Sequence, residues 1–194
     1  MCAVSTSKPA YHHGDLKTAL LDAADALLDE GGPNAVSLRE AARRAGVSAM
    51  APYRHFADKD TLLAALATRG FAAFGRAMQE AAAGAPDPLA ALGPAYVRFA
   101  LERPGRFRLM FGSGLVRGGQ HIELGQAARR TFDILVAAVR RRRPEGDAEL
   151  GAMRAWSLVH GLSQLLLDGM LPELDADRIA QIVTGVPDGA RPLV

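Results

Sequence analysis

Tyr53, Arg54 and His55 stand together in "GVSAMAPYRHFADKD", residues 46 to 60, with Ser48 before them and Lys59 after them. A phenol, a guanidinium, an imidazole, a hydroxyl and an ammonium so close together form a set that donates hydrogen bonds to an anion. Upstream, Arg39 adds a second guanidinium. A different polar set occupies "WSLVHGLSQLLLDGML", residues 156 to 171, where His160 and Gln164 lie one turn apart on an otherwise apolar segment. Buried polar groups need partners, and a ligand or a trapped water would supply them. Neither set resembles reaction chemistry. His121 and His160 are candidate bases for an enzyme, but no Ser or Cys nucleophile pattern, metal-ligand spacing or pair of carboxylates supports one. His12 and His13 are adjacent and have no Cys or carboxylate at ligand spacing, so no metal and no cofactor is expected. A tail near a phosphate backbone, helped by Lys8, suits them better. The run Arg140 to Arg143 closes a helix, where cations complement the dipole. "GSGLVRGGQ" has neither the Lys nor the Ser or Thr of a phosphate-binding loop, and no strand precedes it.

The elements that must position these residues are helical throughout. Ala, Leu and Arg abound while Val, Ile and Thr are sparse, which predicts an all-α fold. Leu16, Leu20, Ala23, Ala24, Leu27 and Leu28 recur at helical spacing, so a first helix runs from Asp15, as its cap, to Glu30, where "EGGP" stops it. Ser37 with Glu40 three residues later reads as a capping box opening a short helix that ends at Ala45. Gly46 follows, placed to take a left-handed conformation. A second short helix is expected from Ser48 to His55 or Phe56, and Asp58 or Asp60 caps a longer one to about Ala83. After the linker "GAPDP", helices are expected at 88–102, 104–111, 121–143, 147–169 and 175–184. There are no internal repeats.

The chain has 194 residues, 49% apolar, with a net charge of +2. Residues 1–70 hold eight basic and eight acidic side chains, so bulk charge says nothing about partners. Local charge says more. Arg39, Arg43, Arg44, Arg54 and Lys59 face only Glu40 and Asp58 over 39–59, while Asp22, Asp25, Asp29 and Glu30 gather in the preceding helix. A positive face opposite a negative one is expected. No apolar run reaches the roughly 18 residues of a membrane span. The N-terminal "MCAVSTSKPA" has no basic stretch before an apolar core, so a secretion signal is not expected. The single cysteine, Cys2, excludes an internal disulfide framework, which fits a reduced, cytoplasmic setting.

Two short helices joined by a glycine turn over 37–56 form a helix-turn-helix pattern. Leu38, Ala41, Ala42, Ala45, Val47, Pro52 and Phe56 can share one small core. Pro52 and Phe56, four apart, point inward. Proline costs little in a first helical turn, whose N–H groups lack internal partners. Met50, Tyr53 and Arg54 then face outward, with Ala49 beside them. Such a helix fits a major groove, and Tyr53 and His55 lie on opposite flanks, within reach of phosphates on its two walls. Ser37, Ser48 and Lys59 sit at or near helix N-termini, which favour phosphate.

"YHHGDLKTALLDAADALL" and "SLREAARRAGVSAMAPYRHFADKDTLLAALA" resemble the TetR family of bacterial transcriptional regulators, closely over residues 11 to about 75. Trp156, His160 and Gly161 resemble the Trp–His–Gly signature of one of its C-terminal subgroups. The resemblance implies DNA contacts by Ser48, Ala49, Met50, Tyr53 and His55, a base contact by Arg39, and a phosphate held by Lys59. Ala49 and Met50 depart from a hydrogen-bonding pattern, so readout would lean on Arg39, Arg54, thymine methyls or DNA shape.

The organisation expected is an N-terminal arm over 1–13, a three-helix DNA-binding domain over 14–74, and a helical effector-binding and dimerisation domain over 75–194. The partners expected are a palindromic double-stranded DNA operator, a small, mostly apolar effector and a second copy of the chain, with no membrane. Phe99, Phe107, Met110, Phe111 and Trp156 are the large side chains available to line an effector pocket, with His160 and Gln164 as polar anchors. They are equally what an ordinary helical core needs. The segment 150–168 is apolar nearly all round. The helices around 147–169 and 175–184 are expected to pair with their symmetry mates in a largely apolar bundle, through Leu162 or Leu166. The rivals are an enzyme and a helical interaction module that binds no DNA.

Overall fold

The computed structural model of the chain describes residues 13–116 and 119–184, with side chains from residue 16 onward. The arm with Lys8 and His12, and the residues after 184, lie outside this range. The described residues are all-α, as composition predicts. The helices are α1 (His13–Ala35), α2 (Leu38–Arg44), α3 (Lys59–Ala82), α4 (Pro88–Glu102), α5 (Pro104–Gly112), α6 (Ile122–Arg142), α7 (Ala148–Leu167) and α8 (Ala176–Thr184). Helix α1 begins two residues before the expected cap, and it bends at Gly32, whose φ of 69° leaves the helical region just before Pro33.

Local chemistry explains the remaining ends. Asp58, Asp87 and Asp147 each accept a hydrogen bond from the backbone amide three residues on, capping α3, α4 and α7. Ser37 caps α2 by accepting from the Glu40 amide at 3.1 Å. The reciprocal half of the expected capping box is missing, because the Glu40 carboxylate pairs with Arg43 instead. Replacing Asp58 by Ala removes this cap and is expected to lower the melting temperature. The same loss is not expected from Asp60→Ala, since Asp60 makes no capping bond.

Helices α1, α2 and the first half of α3 enclose one core, in which Leu20, Leu28, Val36, Leu62 and Leu66 are wholly buried. Helix α3 continues unbroken into the second half of the molecule. There it packs along α4 and α6, while α7 lies against α4 and α6, and α8 covers α4. No helix among the described residues is long and apolar enough to cross a membrane.

Leu158, Leu162 and Leu165, which helical spacing puts on one stripe of α7, divide. Leu162 is buried within its own subunit, while Leu158 and Leu165 are half exposed, at 50% and 45%. The 3.6-residue period places these three leucines near one another, but not which of them meets α4.

Candidate functional site: a helix-turn-helix surface and an apolar cavity

Helix α2 ends in a Schellman turn. The Val47 amide donates to the Ala42 carbonyl at 3.0 Å and the Gly46 amide to the Arg43 carbonyl at 3.2 Å, with Gly46 at φ 69°. A side chain at Gly46 would be strained there, so the turn depends on this glycine.

The expected second helix over 48–56 shrinks to a single 3₁₀ turn, Pro52–Arg54. Pro52 has no N–H to give the Ser48 carbonyl, which instead accepts from the Ala51 amide at 3.0 Å. The amides of His55 and Phe56 both reach the Pro52 carbonyl at 2.9 Å. The facing of the side chains survives this correction. Pro52 and Phe56 are buried with Leu38, Ala41 and Ala42, and Ala45 and Val47 pack against them. Arg39, Ser48, Ala49, Met50, Tyr53, Arg54 and Lys59 are all exposed. His55 is the exception: its Nε2 is buried and has no hydrogen-bond partner.

Charge sorts further. Arg43 pairs with Glu40, and Arg44 makes a two-pronged pair with Glu30, both bonds 2.8 Å. Arg39, Arg54 and Lys59 make no ion pair among the described residues, but Asp58 and Asp60 flank Lys59, so the uncompensated positive charge is that of Arg39 on α2 and Arg54 on the turn. The expected negative face does not form as a free surface. Asp22 and Asp29 pair with Arg69 and Arg103, both at 2.6 Å, and Asp25 with Arg106 at 2.9 Å. Burial raises the Asp25 carboxyl above its ordinary value even though Arg106 and Arg69 oppose the shift.

Arg103 and Arg106 tie α1 to α5, and α5 also borders a cavity of about 650 Å³. Its apolar wall includes Phe71, Phe74, Met110, Phe111, Phe132 and Trp156, with His160 among them. Four of the expected residues therefore meet at one cavity: Met110, Phe111, Trp156 and His160. Three do not. Phe107 lies behind the wall, buried and stacked on His160 with ring centroids 5.3 Å apart. Phe99 packs against Phe74 from outside, at 4.8 Å. The Gln164 amide donates to Asp168, one turn on, at 3.0 Å.

Tyr96 is a wall residue that sequence reasoning does not single out. Its hydroxyl accepts from Trp156 Nε1 at 3.1 Å and lies 2.9 Å from His160 Nδ1. Burial raises its phenol well above the ordinary range and lowers the His160 imidazole. The signal available is one polar aromatic among the buried positions of "AYVRFA", residues 95 to 100. Gly114 and Val116, from the glycine-rich loop that lacks phosphate-binding residues, also reach the wall. His121 is at the α6 N-terminus, where its nearness to Asp58 adds to the lowering of that carboxyl by the Thr61 hydrogen bonds. Among the described residues, no group of three His, Cys, Asp or Glu could share a metal ion.

A cationic helix-turn-helix joined by a continuous helix to a domain with an apolar cavity is the architecture of a DNA-binding transcriptional regulator. Comparisons with known proteins agree. Residues 20–66 match the family described as "Bacterial regulatory proteins, tetR family", and residues 89–185 match "Tetracyclin repressor-like, C-terminal domain". A Rhodococcus sp. RHA1 protein of unknown function is 33% identical, with 92% of this chain and 98% of that one covered at a TM-score of 0.79. PfmR, a TetR family transcriptional regulator from Thermus thermophilus, is 21% identical over 87% of this chain and 99% of its own, at 0.64. SmeT, the repressor of the Stenotrophomonas maltophilia multidrug efflux pump SmeDEF, is 22% identical over 86% and 85%, at 0.58. No curated protein matches the sequence. The chain belongs to the TetR family of bacterial regulatory proteins and is a transcription factor, not an enzyme.

Proposed function

We propose that the protein is a ligand-responsive repressor that binds a palindromic operator as a homodimer and releases it when a small, mostly apolar effector enters the cavity. One observation carries this reading: α5 borders the cavity with Met110 and Phe111 and is tied to α1 through Arg103, Gly105 and Arg106. A ligand that displaces α5 thereby displaces the DNA-binding half. That is a differential contact between two states, the requirement for coupling two sites. SmeT, which shares the fold, also occurs as a triclosan complex.

Ser37, Arg39, Ser48, Ala49, Met50, Tyr53, Arg54, His55 and Lys59 form the proposed DNA face. Tyr53→Ala and Lys59→Ala are expected to weaken binding to all sequences alike, because phosphate contacts position without specifying. Arg39→Ala should also cost about 1–3 kcal/mol of discrimination against the wrong base. Selection of bound genomic fragments, followed by gel shifts on a selected and a scrambled site, checks both. Wild-type affinity in all three variants would place the DNA elsewhere.

Two recognition turns must reach major grooves roughly 34–36 Å apart, so a dimer is a mechanical need. Its proposed seam is the exposed apolar stripe of α7, with Leu150, Leu158 and Leu165, where exposed Gly161 permits close approach. Leu158→Glu with Leu165→Glu should yield a folded monomer in sedimentation. Leu162, named from the sequence alone, would instead disturb the subunit core. A dimer that survives both charges would rule out this face.

A further inference from the structure

Three polar side chains on the cavity wall, Trp156, Tyr96 and His160, form a directed chain of hydrogen bonds. The indole N–H of Trp156 can only donate, so at 3.1 Å the Tyr96 oxygen accepts. The hydroxyl then has one proton to give, and His160 Nδ1 lies 2.9 Å away. A neutral imidazole whose Nδ1 accepts must hold its proton on Nε2. Burial, which lowers the His160 imidazole and raises the Tyr96 phenol, favours the neutral form of both rings. His160 lines the cavity, and its Nε2 makes no hydrogen bond among the described residues. The other uncharged hydroxyls on the wall have spent their hydrogens: Thr131 donates to the Ala127 carbonyl at 3.0 Å, and Ser157 to that of Met153 at 2.8 Å. Arg129, exposed at the rim, is held by Asp133 and Glu149 at 2.9 and 2.8 Å, so its charge is already balanced.

From this geometry we infer that the Trp156–Tyr96–His160 chain sets the cavity to take an uncharged, largely apolar ligand through one acceptor atom, such as a ketone or ester oxygen, held by the Nε2–H of His160. The inference rests on the cavity being the effector site. An ammonium group would bring a second set of donors to a donor. A carboxylate would accept the bond but meet apolar walls and a guanidinium flanked by two acids. The carboxylate would also leave water at a cost that apolar walls do not return.

Benzophenone and diphenylmethane share a shape and differ in one carbonyl, which makes them the test pair; diphenylacetate and diphenylmethylammonium supply the charged arms. Calorimetric titration of the full-length protein should show benzophenone binding about five- to tenfold more tightly than diphenylmethane, the worth of one ordinary hydrogen bond, and both charged compounds more weakly than benzophenone. In His160→Phe, which keeps an aromatic ring against Phe107, the ratio of benzophenone to diphenylmethane affinity should fall to about one. Nitrogen-15 NMR of the wild type should find His160 neutral and protonated at Nε2. Tyr96→Phe should shift its proton toward a mixture of the two nitrogens and reduce the benzophenone preference. Equal binding of the neutral pair, a tighter carboxylate, or a proton on Nδ1 overturns the proposal and leaves the pocket standing. Failure of all four compounds to bind, with Nε2–H confirmed, sinks the effector reading and this ligand class with it. Should His160→Phe fail to fold, the wild-type titrations and NMR still decide.

Discussion

Phe56→Ala is expected to destabilise the protein by about 3–5 kcal/mol, the range for truncating a buried phenylalanine. Phe56 is 1% exposed and anchors the recognition turn to the core formed with Leu38 and Ala41. For a chain this long the loss corresponds to a melting temperature roughly 6–20 °C lower. The functional loss should exceed what stability alone predicts. The turn holds only three residues, and few backbone hydrogen bonds keep Tyr53 and Arg54 in place once the ring is gone. At a temperature where the variant is still mostly folded, operator binding should already be severely weakened. Phe56→Leu, which keeps most of the apolar volume, should restore both. If Phe56→Ala melts within a few degrees of wild type, the recognition turn is held by something other than this core.

The second large effect is expected at Gly105. A Cβ built there falls 2.4 Å from the Leu28 carbonyl oxygen, a distance real Cβ atoms do not show, and the obstacle is backbone. Helices α1 and α5 therefore touch main chain to main chain, between the Arg103–Asp29 and Arg106–Asp25 pairs. Gly105→Ala must push the helices apart, at a cost toward the upper end of the roughly 1–3 kcal/mol typical of overpacking. Because the same separation is what an effector in the cavity would impose, the variant should also bind operator more weakly without any ligand. Thermal melting and a gel shift on the same preparation separate the two effects. A variant of normal stability and normal affinity would mean that α1 and α5 can part freely, and that the coupling proposed for this seam runs elsewhere.

Most of the helix-turn-helix was legible in the residues themselves. Ser37, Gly46, Asp58 and the linker glycine and prolines act on backbone within a turn or two of their own positions, so their chemistry reports helix ends directly. The inward pair Pro52 and Phe56 follows from spacing alone, and it holds even though the helix carrying it contracts to a turn. That contraction was less legible. Proline at the first turn of a helix is tolerated, and its effect here depends on how little helix follows before Phe56.

What local chemistry determines about this protein is thus its set of helices, its outward cationic turn and its membership of a class of DNA-binding proteins. Tertiary structure alone decides the rest. The acids of α1 look like a solvated face until α5 brings Arg103 and Arg106 across to them, from 74 residues away in the Arg103–Asp29 pair. Tyr96 is one aromatic among several until packing sets it against His160, 64 residues on. Helical periodicity gives which side chains share a face but not which neighbour that face will meet. Leu158, Leu162 and Leu165 therefore read alike in the sequence and part company in the fold.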